Sequence, residues 1–253
     1  MKLMVKIYQR NFQDVPVLEV VEEEYRYKKV PLVVFYHGWR SEKELVLTQA
    51  RKLAAKHIRV VLPDAMNHGK RLEDVSSIPS FTFWNSIQGN LSEFELIVGF
   101  YQKRDLIKDG KIGVGGYSMG GMTTGALMTQ HPEITAATII MGTPNLNAYA
   151  KLVRYHAKNH GIYVPRDMKM LTSWIDNYDL NLQPEKINKR PLLFWHGTVD
   201  ERIPYEESKD FFDKIQGNDY AEQVAFITGY KAGHLVEPPL MDKIANFFEY
   251  YLW

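Results

Sequence analysis

Strand-length apolar runs alternate with longer stretches of helical periodicity along almost the whole chain. Residues 2–8 and 15–25 alternate or run β-branched, which predicts two leading strands, antiparallel at a sheet edge. Residues 31–36 then read as a strand, 42–56 as a helix, 59–62 as a strand and 84–106 as a helix. Next come a strand at 111–115, a helix at 119–129 and a strand at 136–141. After Gly142-Thr143-Pro144 no strand is apparent until 191–195, followed by a helix at 206–215, a strand at 223–227 and a closing helix at 239–250. This alternation predicts an α/β fold, a mostly parallel twisted sheet of about eight strands with helices on both faces. Right-handed crossovers line the strand-to-helix loops along the carboxyl edge of such a sheet, where these folds hold their sites. No repeat, low-complexity tract or linker interrupts the pattern, so 1–253 reads as a single domain.

Composition narrows the function classes. Thirty-one Lys and Arg against thirty Asp and Glu leave a formal charge of +1. That balance argues against nucleic acid or an anionic membrane as the main partner, since both demand a basic excess. Cysteine is absent, which removes disulfides, thiolate metal sites and a cysteine nucleophile together. The first ten residues alternate instead of building an apolar signal-peptide core, and the longest apolar runs fall far short of the ~20 residues a membrane helix needs. A cytoplasmic protein is expected, as monomer or homodimer. No cofactor and no metal site is expected; His156 and His160 stand four apart, but one such pair does not make a ligand set.

The sharpest motif is Gly115-Gly116-Tyr117-Ser118-Met119-Gly120-Gly121, a G-x-S-x-G between a predicted strand and a predicted helix. A serine at such a corner adopts a strained backbone that lifts its hydroxyl off the sheet edge. Side chains two positions to either side would collide, so Gly116 and Gly120 have none. The alternative is a glycine-rich turn that only lets the helix pack.

A serine nucleophile needs a base, and the base a carboxylate, following in chain order as acid and then histidine. Of His131, His156, His160, His196 and His234, only His234 lies after the last predicted strand, in Ala232-Gly233-His234. The acid is expected after the strand at 191–195, where His196-Gly197-Thr198-Val199-Asp200-Glu201-Arg202-Ile203-Pro204 offers Asp200, with Glu201 as a neighbour able to substitute. Asp176 and Asp179 read as surface charges, and Asp64 as the organiser of the loop holding Asn67-His68-Gly69. An oxyanion needs two N–H donors. The backbone of Met119 supplies one candidate, and that of Trp39, in His37-Gly38-Trp39 after the strand at 31–36, supplies the other. His37 itself reads as a brace for that loop.

With these segments in this order, the chain resembles the α/β-hydrolase superfamily over essentially its full length. His196-Gly197-Thr198-Val199-Asp200 and Ala232-Gly233-His234 are most similar to the dienelactone-hydrolase-like and prolyl-oligopeptidase-like branch, small bacterial serine carboxylesterases in particular. The resemblance implies Ser118, Asp200 and His234 as a catalytic triad and the N–H groups of Trp39 and Met119 as oxyanion hole. It also implies that 145–189 is a small helical cap inserted after the sixth strand. Tyr149, Tyr155, Tyr163, Trp174 and Tyr178, with Met168 and Met170, either line an acyl pocket there or anchor the cap. The chain departs from dienelactone hydrolases in lacking their cysteine nucleophile, and from prolyl oligopeptidases in having no room for a propeller. The expected activity is hydrolysis of a small to medium carboxylic ester or thioester through an acyl-enzyme. The competing readings are an acyltransferase, lactonase or small-peptide hydrolase on the same serine, and a non-catalytic small-molecule binding module.

Overall fold

The computed structural model of the protein describes residues 4–78 and 80–253; residues 2 and 3 of the first expected strand lie outside them. Strands β1 (Val5–Phe12) and β2 (Val15–Glu22) form an antiparallel hairpin in which Phe12 faces Val15. The hairpin outruns the expected strand because Phe12 is buried at its tip. Then follow β3 (Val30–Tyr36), α1 (Leu47–Ala54), β4 (Arg59–Pro63), α2 (Phe81–Gln102), β5 (Ile107–Tyr117), α3 (Met119–Gln130) and β6 (Ile134–Ile140). Between β6 and β7 (Leu192–Gly197) stand the helices α4 (Leu146–Asn159), α5 (Met168–Leu171) and α6 (Ile175–Tyr178). The chain closes with α7 (Tyr205–Ile215), β8 (Val224–Gly229) and α8 (Pro238–Leu252).

The eight strands make one sheet in the order β1-β2-β4-β3-β5-β6-β7-β8. β2 runs antiparallel to β1 and β4, and the other pairings are parallel. This is the expected α/β-hydrolase architecture. β3 is buried along its whole length, as a central strand covered on both faces must be. One face packs Leu53, Ile58, Ile244 and Phe248 under α1 and α8; the other packs Trp84, Phe94, Met122 and Phe211 under α2, α3 and α7.

Two helix boundaries differ from expectation, each for an identifiable contact. The expected helix at 42–56 opens as a 3-10 turn, Lys43–Val46, before α1 begins. There the Lys43 N–H and ammonium both turn inward to the Asp64 carboxylate, which fixes the turn from outside the helix. The helix expected to reach 106 stops at Gln102, because Asp105 takes φ 55° and the Leu106 N–H folds back on the Tyr101 carbonyl; β5 starts at once thereafter.

Arg59 is fully buried on β4. Its guanidinium lies 2.9 Å from the buried Glu19 carboxylate and donates to the carbonyls of Leu106, Tyr25 and Arg26. Arg59→Ala leaves the buried Glu19 carboxylate with Arg10 alone and orphans three carbonyls, and is expected to cost about 3 kcal/mol in a urea unfolding curve.

Candidate active site

Ser118 sits between β5 and α3 with φ 56° and ψ −114°, outside the regions an ordinary residue prefers. The sequence around it tolerates this because backbones touch. A Cβ on Gly116 would lie 2.4 Å from the Gly120 carbonyl carbon, and one on Gly120 would lie 2.3 Å from the Tyr36 carbonyl oxygen. The Ser118 N–H bonds the Ile140 carbonyl at 2.9 Å, which ties the corner to β6. One residue back, the buried Tyr117 hydroxyl donates to Gln49 on α1, whose amide reaches the Met241 carbonyl on α8.

Asp200 and His234 come together from the loops after β7 and β8. His234 Nδ1 donates to Asp200 Oδ2 at 2.7 Å, and its Nε2 has no hydrogen bond among the described residues. The two loops are stitched by Val199 N–H to the Ala232 carbonyl at 3.1 Å and by Lys231 N–H to Thr198 Oγ1 at 2.9 Å. Gly197 makes this approach possible, for a Cβ there would lie 2.3 Å from the Ala232 oxygen. The Asp200 carboxylate is fully covered, and its Oδ1 accepts the Arg202 and Ile203 amides at 2.9 and 3.1 Å. Burial alone would raise its pKa; hydrogen bonds from His196, His234 and these amides outweigh that and hold it well below the usual carboxylate range.

A further imidazole, His196, joins the pair. Its ring is fully buried, with Nε2 3.2 Å from Asp200 Oδ2 and 2.9 Å from the Ile203 carbonyl. Both neighbours are acceptors, so Nε2 carries the hydrogen, and the buried Nδ1 has no partner among the described residues. The available signal was a polar residue ending an otherwise apolar strand, four positions before the acid.

Ser118 and His234 line one cavity of about 290 Å³, together with Trp39, Leu235 and Met241. Ser118 also lines a second, of about 370 Å³, with Phe83, Tyr149 and Val153. No hydrogen bond joins the Ser118 hydroxyl to His234 in this conformation. Met119 opens α3, so its N–H has no acceptor within the helix, and the Trp39 N–H has none among the described residues.

The loop carrying Trp39 is pinned by two imidazoles. His37 Nδ1 donates to the Gly38 carbonyl at 2.8 Å while its Nε2 accepts the Ala65 N–H at 3.0 Å. His68 Nδ1 donates to the Met66 carbonyl, and its Nε2 accepts the Arg40 N–H at 3.0 Å. Burial lowers the pKa of both, that of His37 to about 4. Below them the buried Asp64 carboxylate takes the Lys43 ammonium and the Lys43 and Lys70 amides, so it does organise this loop. Burial would raise the Asp64 pKa, but these donors hold it below its ordinary value.

Other expectations divide. Asp176 and Glu201 are exposed, but Asp179 is fully buried and not the surface charge expected; it accepts the Asn147 and Asn181 amides and the Asn147 side chain. Of the residues expected to line or anchor the 145–189 segment, Tyr149 lines the larger cavity and Trp174 and Tyr178 pack on the core. Met168 is buried, whereas Tyr155, Tyr163 and Met170 are exposed.

Comparison with known proteins extends the picture. The family model described as "Prolyl oligopeptidase family" matches residues 87–252. A Bacillus subtilis protein named "Putative esterase YitV" is 38% identical over 259 residues, covering 98% of this chain and 100% of that protein. Esterase YjfP of Escherichia coli is 26% identical over 251 residues, covering 98% and 100%. Among solved structures, TT1662 from Thermus thermophilus superposes with a TM-score of 0.79 at 17% identity and covers 99% of both chains, a likeness of fold.

The two pinned imidazoles set a pH dependence of stability. Both folded pKa values lie below the ordinary 6.5, so the unfolded chain binds protons that the folded chain refuses as pH falls below about 6.5, down to about 4 for His37. Stability therefore falls as pH drops through that window. His37→Gln is expected to flatten the slope of urea midpoint against pH across it, by up to one proton's worth.

Proposed function

The chain belongs to the prolyl oligopeptidase family within the α/β-hydrolase superfamily, and from that premise we propose that it is a serine carboxylesterase acting on small to medium esters or thioesters. The observation that carries the proposal is the His234–Asp200 pair at 2.7 Å, opening onto the same cavity as Ser118 on its strained corner. The relatives named as esterases support the choice of an ester over a peptide.

In this reading His234 Nε2 takes the Ser118 proton as Oγ bonds to the acyl carbon. The Trp39 and Met119 N–H groups receive the oxyanion. The ester C–O bond then breaks, and His234 returns the proton to the departing alcohol. Water repeats the sequence against the acyl-enzyme, releasing the acid and restoring the serine. Asp200 keeps Nδ1 protonated and stays ionised itself, as its depressed pKa requires. His196 acts through Asp200 as a positioning residue, its Nε2–H holding Oδ2 where His234 needs it. The same reading makes 1–253 one hydrolase domain with 145–189 as a cap, supported by Tyr149 and Val153 in the cavity wall beside Ser118.

A fluorophosphonate tests the nucleophile without a guess at substrate. The native protein is expected to gain one adduct by intact mass and lose it in folded Ser118→Ala; an adduct surviving on the variant would sink the assignment. For His196 the expected result is a split between kinetic constants. His196→Phe lowers kcat for p-nitrophenyl butyrate by about tenfold, the scale of one charge-assisted hydrogen bond, with little change in KM. His196→Gln, which can return an N–H toward Oδ2, recovers part of the loss.

A further inference from the structure

We infer that this site selects esters bearing a negative charge, with Arg40 and Arg202 as the groups that recognise it; the inference rests on the esterase reading above. Both arginines line the larger cavity beside Ser118, and Arg202 lines the smaller one as well. They are the only charged side chains among the described lining residues that carry a permanent charge, and neither cavity is lined by any Asp or Glu. The remaining described lining is apolar, or consists of serines, Tyr117, Tyr149, Gly38 and His234.

Both arginines have anchored backbones and unengaged heads. The Arg40 N–H is held by His68 Nε2 at 3.0 Å, one residue from the proposed Trp39 donor. The Arg202 N–H is held by Asp200 Oδ1 at 2.9 Å. Each stem therefore starts from a point fixed relative to the reacting centre. Among the described residues neither guanidinium has a hydrogen bond or ion pair. Arg10 and Arg59 engage Glu19, Arg71 engages Glu93, and Arg190 engages the carbonyls of His131 and Met128; Arg51, Arg154 and Arg166 are unpaired among the described residues, as Arg40 and Arg202 are, but line neither cavity. Glu42 lines an adjoining groove with Arg40, yet no ion pair forms between them.

Charge farther out is mixed, with one wholly basic helix. Helix α4, whose Tyr149 and Val153 face the larger cavity, carries Lys151, Arg154 and Lys158 and no acidic residue. At spacings of three and four these cations share the opposite side of the helix, so they contribute potential and not contact. Glu73, Asp74 and Glu201 adjoin lining residues in the chain without lining either cavity, so the local positive charge is that of the two lining arginines with α4 behind them. Such a field draws anionic substrates and weakens with salt. A guanidinium fork also matches a carboxylate in geometry, two N–H groups to two oxygens. The substrate class that fits is an ester with a carboxylate a few bonds from the scissile carbonyl, in its acyl or its alcohol part.

The test compares kcat/KM for matched pairs: mono-p-nitrophenyl glutarate against p-nitrophenyl valerate, and 4-butyryloxybenzoate against p-tolyl butyrate. The native enzyme is expected to prefer the anionic member of at least one pair by about fivefold or more, the scale of an exposed to partly buried charge pair. That preference shrinks in 0.5 M NaCl and is lost in the Arg40→Gln/Arg202→Gln double variant. Arg40→Lys/Arg202→Lys keeps part of it. Each ratio is taken within one enzyme, so a general loss of activity cancels. Fluorophosphonate labelling confirms that each variant retains a working serine. Turnover of neutral esters with no anionic preference in either pair overturns the charge selection and leaves the esterase reading standing. A preference that survives both salt and the double variant overturns the assignment to these arginines. Absence of any ester turnover and of any adduct overturns both.

Discussion

The corner at Ser118 exists because three backbone segments approach more closely than side chains would permit. Gly120 presses on the Tyr36 carbonyl at the end of β3, and Gly116 presses on Gly120 across the turn. That contact sets the distance between the end of β3, the end of β5 and the start of α3. The Trp39 loop follows directly from β3, so its height above the serine is set by the same contact. The Ser118 N–H bond to Ile140 extends the constraint to β6. A left-sided φ on a serine costs roughly 1–3 kcal/mol, and it persists only where surroundings over-determine it, as they do here.

Two buried carboxylates complete the frame, each doing for one loop what the glycines do for the corner. Asp64 gathers the Lys43 ammonium and two amides beneath the loop that holds Trp39. Asp200 gathers two imidazoles and two amides and joins the loops after β7 and β8. A carboxylate removed from water is tolerable only with this many donors, and that need draws separate loops to a single point. Placement of the site thus follows from satisfying buried charge as much as from packing apolar surface.

Much of this was legible in the chain. Strand-sized runs and helical stretches gave the alternation, and hence the sheet, because a buried parallel strand such as β3 is a continuous apolar run. The G-x-S-x-G segment announced its corner through glycines that only a close approach explains. Boundaries moved where a long-range partner overrode local pattern, as when Lys43 turned to Asp64 and opened the first helix with a 3-10 turn. Asp179 and His196 stayed hidden for one reason. A charged or polar residue in a loop or at a strand end reads as exposed, and only tertiary structure reveals donors from Asn147 or an acceptor on Asp200. The arginines were equally silent, since an unpaired surface cation and one overlooking a cavity look alike in sequence.

The contacts between α1 and α8 carry a consequence for the order of folding. Gln49 bonds the Met241 carbonyl, Lys56 pairs with Glu249, and the Trp253 indole donates to the Lys56 carbonyl, links spanning 192, 193 and 197 residues. Closing a loop of that length costs about 4–5 kcal/mol of chain entropy by the logarithmic scaling. The docking of α8 therefore belongs late in folding, after the sheet has formed a surface to receive it. Gln49 is also the acceptor for Tyr117, the residue before the serine. During synthesis the serine corner leaves the ribosome well before α8 and His234, so a nascent chain carries the nucleophile long before it carries the base. The final helix is the clasp whose arrival braces the corner and brings the histidine loop to it.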